Sequence, residues 1–289
     1  MTHVHHFTYG PLTPIAAYVM SFVGALLGLQ CTSRARVATG RSQASWLALA
    51  AVSIGGTGVW VMHFIAMLGF SVGGMDIRYN VPLTLFSAVI AIGVVGVGMF
   101  LVGFGGEKAR FILPAGIITG LGVASMHYAG MAAMNMPADV SYQPGIVLLS
   151  VVIAVVAASA ALWFTLRVRR TAATVGAALI MGVAVSGMHY TGMAAMRVRS
   201  LPGADPASGA QAGNLLMPLI VGVSIVAVAL LVIVSVYPSE NEVAYMAELE
   251  RQLRDRRAAS QPPARSPGVP PGGERQAGEW FGGGPPSQR

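Results

Sequence analysis

Seven blocks of the chain, 14–31, 46–70, 81–104, 111–136, 144–166, 174–196 and 215–237, are nearly free of charge and apolar on every helical face. A helix on the surface of a soluble domain carries an apolar stripe and a polar face; these blocks carry no polar face. Crossing about 30 Å of hydrocarbon takes roughly 17–25 apolar residues, so the pattern predicts seven transmembrane helices. Mid-span glycines such as Gly93, Gly96, Gly98, Gly120 and Gly122 would weaken a helix in water. In lipid they let backbones approach closely, and no water competes for the backbone hydrogen bonds. The pattern changes after the seventh block. Residues 239–257 are charged, with Met246, Leu249 and Leu253 on one stripe, and residues 258–289 are rich in Pro, Gly, Ser and Gln. The predicted fold is an all-α polytopic membrane protein. It comprises an extracytoplasmic N-terminus (1–13), a seven-helix membrane domain (14–237), a short cytoplasmic helix (238–257) and a disordered tail (258–289).

Composition agrees, with 54% apolar and 10% charged residues against about 25% charged in ordinary soluble domains. A water-soluble enzyme is excluded as the main state. The single cysteine, Cys31, excludes an intrachain disulfide framework and a thiolate-cluster metal site. The net charge of +7 resembles a nucleic-acid signal until it is mapped. Residues 1–237 hold 11 Lys+Arg and 4 acids, whereas the tail holds seven of each, so the excess belongs to membrane loops and no nucleic-acid partner is expected. Arg34, Arg36 and Arg41 follow the first block, Lys108 and Arg110 the third, and Arg167, Arg169 and Arg170 the fifth. With the tail, that side carries 15 of 18 basic residues, and only Arg78, Arg197 and Arg199 lie opposite. Cytoplasmic loops concentrate Lys and Arg, which predicts an outside N-terminus and a cytoplasmic C-terminus. Residues 1–13 lack a basic n-region, so the first span is expected to direct its own insertion. Seventeen Arg to one Lys points to a GC-rich bacterium, and hence to its inner membrane.

An internal repeat carries the chemistry. The second block contains Met62-His63-Phe64-Ile65-Ala66-Met67, the fourth Met126-His127-Tyr128-Ala129-Gly130-Met131-Ala132-Ala133-Met134, and the sixth Met188-His189-Tyr190-Thr191-Gly192-Met193-Ala194-Ala195-Met196. The histidines are 64 and 62 residues apart, which makes each repeat a two-helix hairpin and leaves the seventh helix outside. At about 100° per residue, positions i, i+4 and i+7 share a stripe. His127, Met131 and Met134 form one such stripe and His189, Met193 and Met196 another; in the first copy His63 and Met67 follow suit, with Phe70 in third place. Met62, Met126 and Met188 lie about 100° off those stripes. One such motif alone is core filler and a satisfied histidine. Three copies at one period, on the outer side of a membrane where ionisable groups are expensive, read as a binding site.

Thioether and imidazole form a soft-to-borderline ligand set, which favours copper, particularly Cu(I). Haem, for which His and Met both serve as axial ligands, is the competing cofactor, although three equivalent histidines do not reduce naturally to one or two axial positions. The predicted metal ligands are His63, Met67, His127, Met131, Met134, His189, Met193 and Met196. Met62, Met126, Met188, Tyr128 and Tyr190 stand beside them as additional candidates. Asp76, Asp139 and Asp205, one in each loop after a motif helix, read as solvated loop charges rather than as groups orienting an imidazole. His3, His5 and His6 read as a flexible solvated terminus.

Met188-His189-Tyr190-Thr191 spells out the motif for which the MHYT-domain family of integral-membrane sensors is named, and the chain resembles that family over residues 10–240. The other copies depart from it, with Ala129 in place of Thr and Phe64-Ile65 in place of Tyr-Thr. The resemblance implies copper held by the repeated Met and His, sensing of O2, CO or NO, and cytoplasmic signalling outputs such as cyclic-di-GMP enzymes or histidine kinases. The 52 residues after 237 contain no phosphate loop or kinase-like motif. The chain therefore reads as a non-enzymatic sensor, acting through a cytoplasmic partner or a second copy bound by the tail, with Trp280-Phe281 a weak docking signal. The competing classes are a copper handler, which would need ligands at several depths, and a redox enzyme.

Overall fold

The computed structural model describes residues 4–5, 8–105, 109–201, 207–238 and 240–260. Among the described residues, seven helices are long and apolar enough to cross a membrane: α1 (Leu12–Ala35), α2 (Gly40–Leu68), α3 (Val81–Gly105), α4 (Ala109–Ala132), α5 (Pro144–Arg167), α6 (Thr171–Ala194) and α7 (Ala212–Val236). The chain divides into two compact units, Met1–Tyr245 and Met246–Arg289. A further helix, α8 (Glu240–Ser260), begins in the first and continues into the second. Along α8, Met246, Leu249 and Leu253 are exposed, flanked by Arg251–Glu248 and Arg254–Glu250 ion pairs of 3.8 and 3.5 Å. His3, His6, Lys108, Asp205, the tail from 261 and with it Trp280-Phe281 lie outside the described residues.

The spans face outward with apolar side chains, among them Phe86, Val89, Leu148, Val156, Ile180 and Ile225, as a hydrocarbon solvent requires. The second span differs: 89% of it is buried, against 17–50% for the other six, so α2 runs through the middle of the bundle. It is α-helical over Gly40–Ala51 and Met62–Leu68 but π-helical over Val52–Val61. The uniform second helix expected from hydropathy is thus interrupted. Gly55, Gly56 and Gly58 fall in this segment, where a Cβ on Gly24 of α1 would run into the Gly58 backbone and the Ser53 carbonyl. Such direct backbone contact is what small residues supply between membrane helices. The π turns also rotate everything beyond them, including His63, relative to an unbroken α-helix.

Each motif helix runs into a short strand, which the sequence analysis missed. Strands β1 (Val4–His5) and β2 (Ser71–Val72) pair antiparallel, as do β5 (Ala138–Tyr142) and β6 (Met196–Ser200), while β3 (Arg78–Tyr79) lies between β4 (Met134–Asn135) and β7 (Ala210–Gln211). The β2–β3 turn uses Gly73 and Gly74 at φ 48° and 76°, a left-handed conformation open to glycine. Pro137 disfavours helix in the residue before it, and α4 ends at Ala132 rather than continuing to 136. Met196-Arg197-Val198-Arg199-Ser200 alternates with period two and pairs Arg199 with Asp139 and Val198 with Val140; α6 accordingly ends at Ala194 rather than 196. At the opposite end, arginines close the bundle. Arg34 donates to the carbonyls of Tyr237 (2.8 Å), Gln30 (3.1 Å) and Val234, and Arg36 to those of Val168 (2.9 Å) and Thr165. Gln30 belongs to α1 itself, one turn before Arg34; the other four carbonyls lie in or just past the last turns of α7 and α5, where no intrahelical donor reaches them.

Candidate metal centre

His63, His127 and His189 each stand five residues before the end of their helix, at Leu68, Ala132 and Ala194. At 1.5 Å per residue, all three lie about 7.5 Å below the strand end of the bundle. The common depth brings them together. His63 Nδ1 lies 3.0 Å from His189 Nδ1 and 3.2 Å from His127 Nδ1. Their ring centroids are 4.9–5.1 Å apart and their planes meet at 80–89°, a near-three-fold propeller. All three side chains are buried, at 0–1% exposure.

Three imidazoles arranged this way cannot satisfy one another. Each Nδ1 has one in-plane direction for a proton or a lone pair, so His63 Nδ1 cannot align with both neighbours at once. His63 Nε2 and His127 Nε2 are buried with no hydrogen-bond partner among the described residues. A tetrahedral ion with bonds of about 2.0–2.1 Å holds its nitrogens roughly 3.3 Å apart, close to the spacing here, and one cation would satisfy all three Nδ1 atoms. The donor set therefore fits a single metal ion. The far sides of the rings are fixed by glycines: a Cβ on Gly130 would overlap His63 Nε2, and a Cβ on Gly192 would overlap His127 Nε2. The first repeat has Ala66 at the matching position. The sequence carries a signal for these small residues in their fixed place three residues after each histidine, but periodicity alone assigns them no role.

An aromatic follows each histidine and packs edge-on against it, Phe64 at 4.7 Å, Tyr128 at 4.9 Å and Tyr190 at 5.0 Å. Tyr128 places its hydroxyl 2.7 Å from Ser150 Oγ rather than on an imidazole, so at two of the three positions the ring suffices without a phenol at the site. Phe64 packs on Trp60, whose Nε1 donates to Ser87 Oγ (3.0 Å), and on Tyr79 at 6.1 Å. Burial pushes the phenols of Tyr79 and Tyr142 up, Tyr142 also being raised by Tyr128.

Met67, Met131 and Met193 are buried one turn beyond each histidine on the same helical face, and Met62, Met126 and Met188 are buried beside it. Met134 and Met196 do not lie on the helical stripe expected of them. Both lie past the helix ends, at the starts of β4 and β6, so the i+7 continuation of the stripe does not exist; both remain buried, at 8% and 6% exposure. Asp76 pairs with Arg78 at 2.9 Å on the surface and Asp139 is exposed in β5, so neither reaches an imidazole. His5 contributes backbone to β1, paired with Ser71.

The family model described as the bacterial signalling protein N-terminal repeat, MHYT, matches residues 56–115, 120–178 and 182–245. Each frame joins a motif helix to the helix after it, giving α2–α3, α4–α5 and α6–α7 and leaving α1 outside, whereas histidine spacing alone had set aside the seventh helix. Over 240 residues, 81% of the chain, it is 33% identical to the bifunctional diguanylate cyclase/cyclic di-GMP phosphodiesterase MucR of Pseudomonas aeruginosa. Over 209 residues, 69% of the chain, it is 35% identical to the cyclic di-GMP phosphodiesterase NbdA of the same organism. The Bacillus subtilis signaling protein YkoW is 27% identical over 199 residues. The chain spans 35%, 26% and 24% of the length of these three relatives. No solved structure matches it. With three successive repeat frames filling most of 56–245, the chain belongs to the MHYT family of bacterial membrane signalling domains.

Proposed function

We propose that this membrane signalling domain senses through one copper ion shared by His63, His127 and His189, and that its signal is a diatomic gas (O2, CO or NO) or the redox state. The observation that carries the reading is the meeting of three buried Nδ1 atoms from three repeats, at 3.0 and 3.2 Å from a common member. Thioethers of Met67, Met131 and Met193, on the same helical faces, tilt the preference from zinc towards copper; Met62, Met126 and Met188 beside the histidines, and Met134 and Met196 beyond the helix ends, are further candidate thioethers. Copper, when bound, supplies a one-electron couple and a coordination position for a small ligand. Haem fits less well, because nitrogens this close leave no plane between them for a porphyrin.

The protein's part is to hold and insulate the ion. The glycine cradle fixes two rings from behind, the aromatic at each following position fixes their tilt, and the strands finish the end of the bundle above them. The strand end faces the periplasm in this reading, because 15 of 18 basic residues fall on the opposite side. A change at the ion alters how α2, α4 and α6 pack. Helix α1, which packs on α2 and α6, passes that change through Arg34 to the end of α7, and α8 presents it to a cytoplasmic partner or a second copy. The relatives named for cyclic-di-GMP turnover suggest that second messenger as the output. Metal analysis of the purified full chain, with optical and electron paramagnetic resonance spectra under air and under CO, tests the reading. One copper per chain with a spectrum altered by CO is expected. A copper-free protein, or a haem absorption band, overturns it.

A further inference from the structure

A second feature lies beside the same three motif helices, deeper in the membrane. A cavity of about 50 Å³ opens among the second to sixth spans. Its wall includes Val59, Val123 and Val185, and each of these stands four residues, one helical turn, before one of the three histidines. Met188, the neighbour of His189, also lines it. The cavity is thus placed by the repeat itself, one turn below the imidazoles. Its lining is apolar apart from Thr119, whose Oγ1 is already engaged with the Val94 carbonyl at 3.4 Å.

Size and chemistry restrict what such a space holds. A single water needs roughly 10–15 Å³ measured this way but also two to four polar partners, and apolar cavities stay dry. No charged group lines the wall, so ions are excluded, and the volume is far below the roughly 300–1,000 Å³ of pockets for drug-sized molecules. A small uncharged apolar molecule of a few heavy atoms remains, and a diatomic gas is within that size. Such molecules enter hydrocarbon readily, and the cavity lies on the lipid-core side of the histidines rather than the strand side.

We infer that this cavity is a docking station for an apolar diatomic gas, holding it one helical turn from the histidine cluster. The consequence for signalling rests on the copper reading; the docking itself does not, and xenon, an apolar atom of similar size, probes it without any metal. The test uses the full chain in lipid nanodiscs. Ala158 and Ala154 line the cavity from α5, which carries none of the motif residues, so Ala158→Phe fills the space without replacing a candidate ligand. Ala154→Leu carries the same expectation with a smaller side chain, should phenylalanine compromise folding. Xenon-129 magnetic resonance and xenon-pressurised crystals are expected to place xenon beside Val59, Val123 and Val185 in the wild type. That occupancy is lost in the filled variants at unchanged copper content, and CO binding to the loaded protein slows. Absence of xenon from the wild type overturns the inference, as do folded variants that bind xenon and CO like the parent. A copper-free protein that holds xenon overturns the copper reading alone, and a copper-loaded one without xenon overturns this one alone.

Discussion

Replacing Gly130 or Gly192 with alanine adds one methyl group at the most constrained points of the cluster. An ideal Cβ on Gly130 falls on His63 Nε2 and within 3.0 and 3.3 Å of Cδ2 and Cε1; on Gly192 it falls on His127 Nε2, with Cδ2 and Cε1 at 2.9 and 3.2 Å. Regaining ordinary contact near 3.5 Å requires the ring to retreat by about 1 Å. Each ring is fully buried, and retreat drives it towards another imidazole nitrogen already 3.0–3.2 Å away. Overpacking of this kind costs about 1–3 kcal/mol, partly offset by the roughly 0.5–1 kcal/mol that alanine gains over glycine within a helix. If the misplaced nitrogen is a metal ligand, 1–3 kcal/mol corresponds to roughly 5- to 150-fold in affinity. The control is Gly187→Ala, on the same helix as Gly192, where an added Cβ meets nothing within 4 Å. Copper competition against a chelator of known affinity, run beside thermal unfolding, separates the two effects. Gly130→Ala and Gly192→Ala are expected to weaken metal binding and lower the melting midpoint, while Gly187→Ala leaves binding unchanged. Two variants as benign as the control would refute the cradle.

Other expectations follow from individual contacts. Tyr128→Phe removes the 2.7 Å contact with Ser150 and should cost about 0.5–1.5 kcal/mol of stability with copper content intact, as Phe64 serves the first repeat; lost copper would show that the phenol acts at the site. Arg34→Lys gives up a fork that meets three carbonyls, and bonds from a charged donor contribute about 1.5–3 kcal/mol each, so the unfolding midpoint should fall by several degrees; an unchanged midpoint would remove Arg34 as the clamp on α7. A reporter fused after residue 240 should be active only if it functions in the cytoplasm, and activity of a periplasm-only reporter there would invert the topology.

The seven spans and the three histidines were legible in the sequence because each depends on a local property. Hydropathy sets a span, and a motif repeated at 64 and 62 residues marks equivalent depth in equivalent helices. Extrapolating helical periodicity past the histidines failed at Met134 and Met196. There the chain exchanges helix for strand pairing with partners distant in sequence, as in Tyr79 opposite Met134, and periodicity carries no information about such partners. The π segment was hidden for a similar reason. Hydropathy does not distinguish Val52–Val61 from an α-helical span, and its widened turns lie where it meets α1 at Gly24. Likewise, nothing local distinguishes Gly130, which meets a ring from another repeat, from Gly187, which meets nothing.

If three histidines from three repeats share one copper ion, removing any one of them must change the copper stoichiometry of the purified protein. One copper per chain is expected in the wild type, falling sharply in His63→Ala, His127→Ala and His189→Ala alike, while alanine at His3, His5 and His6 leaves it at one. Unchanged stoichiometry in a folded His127→Ala, His189→Ala double variant would contradict the shared site.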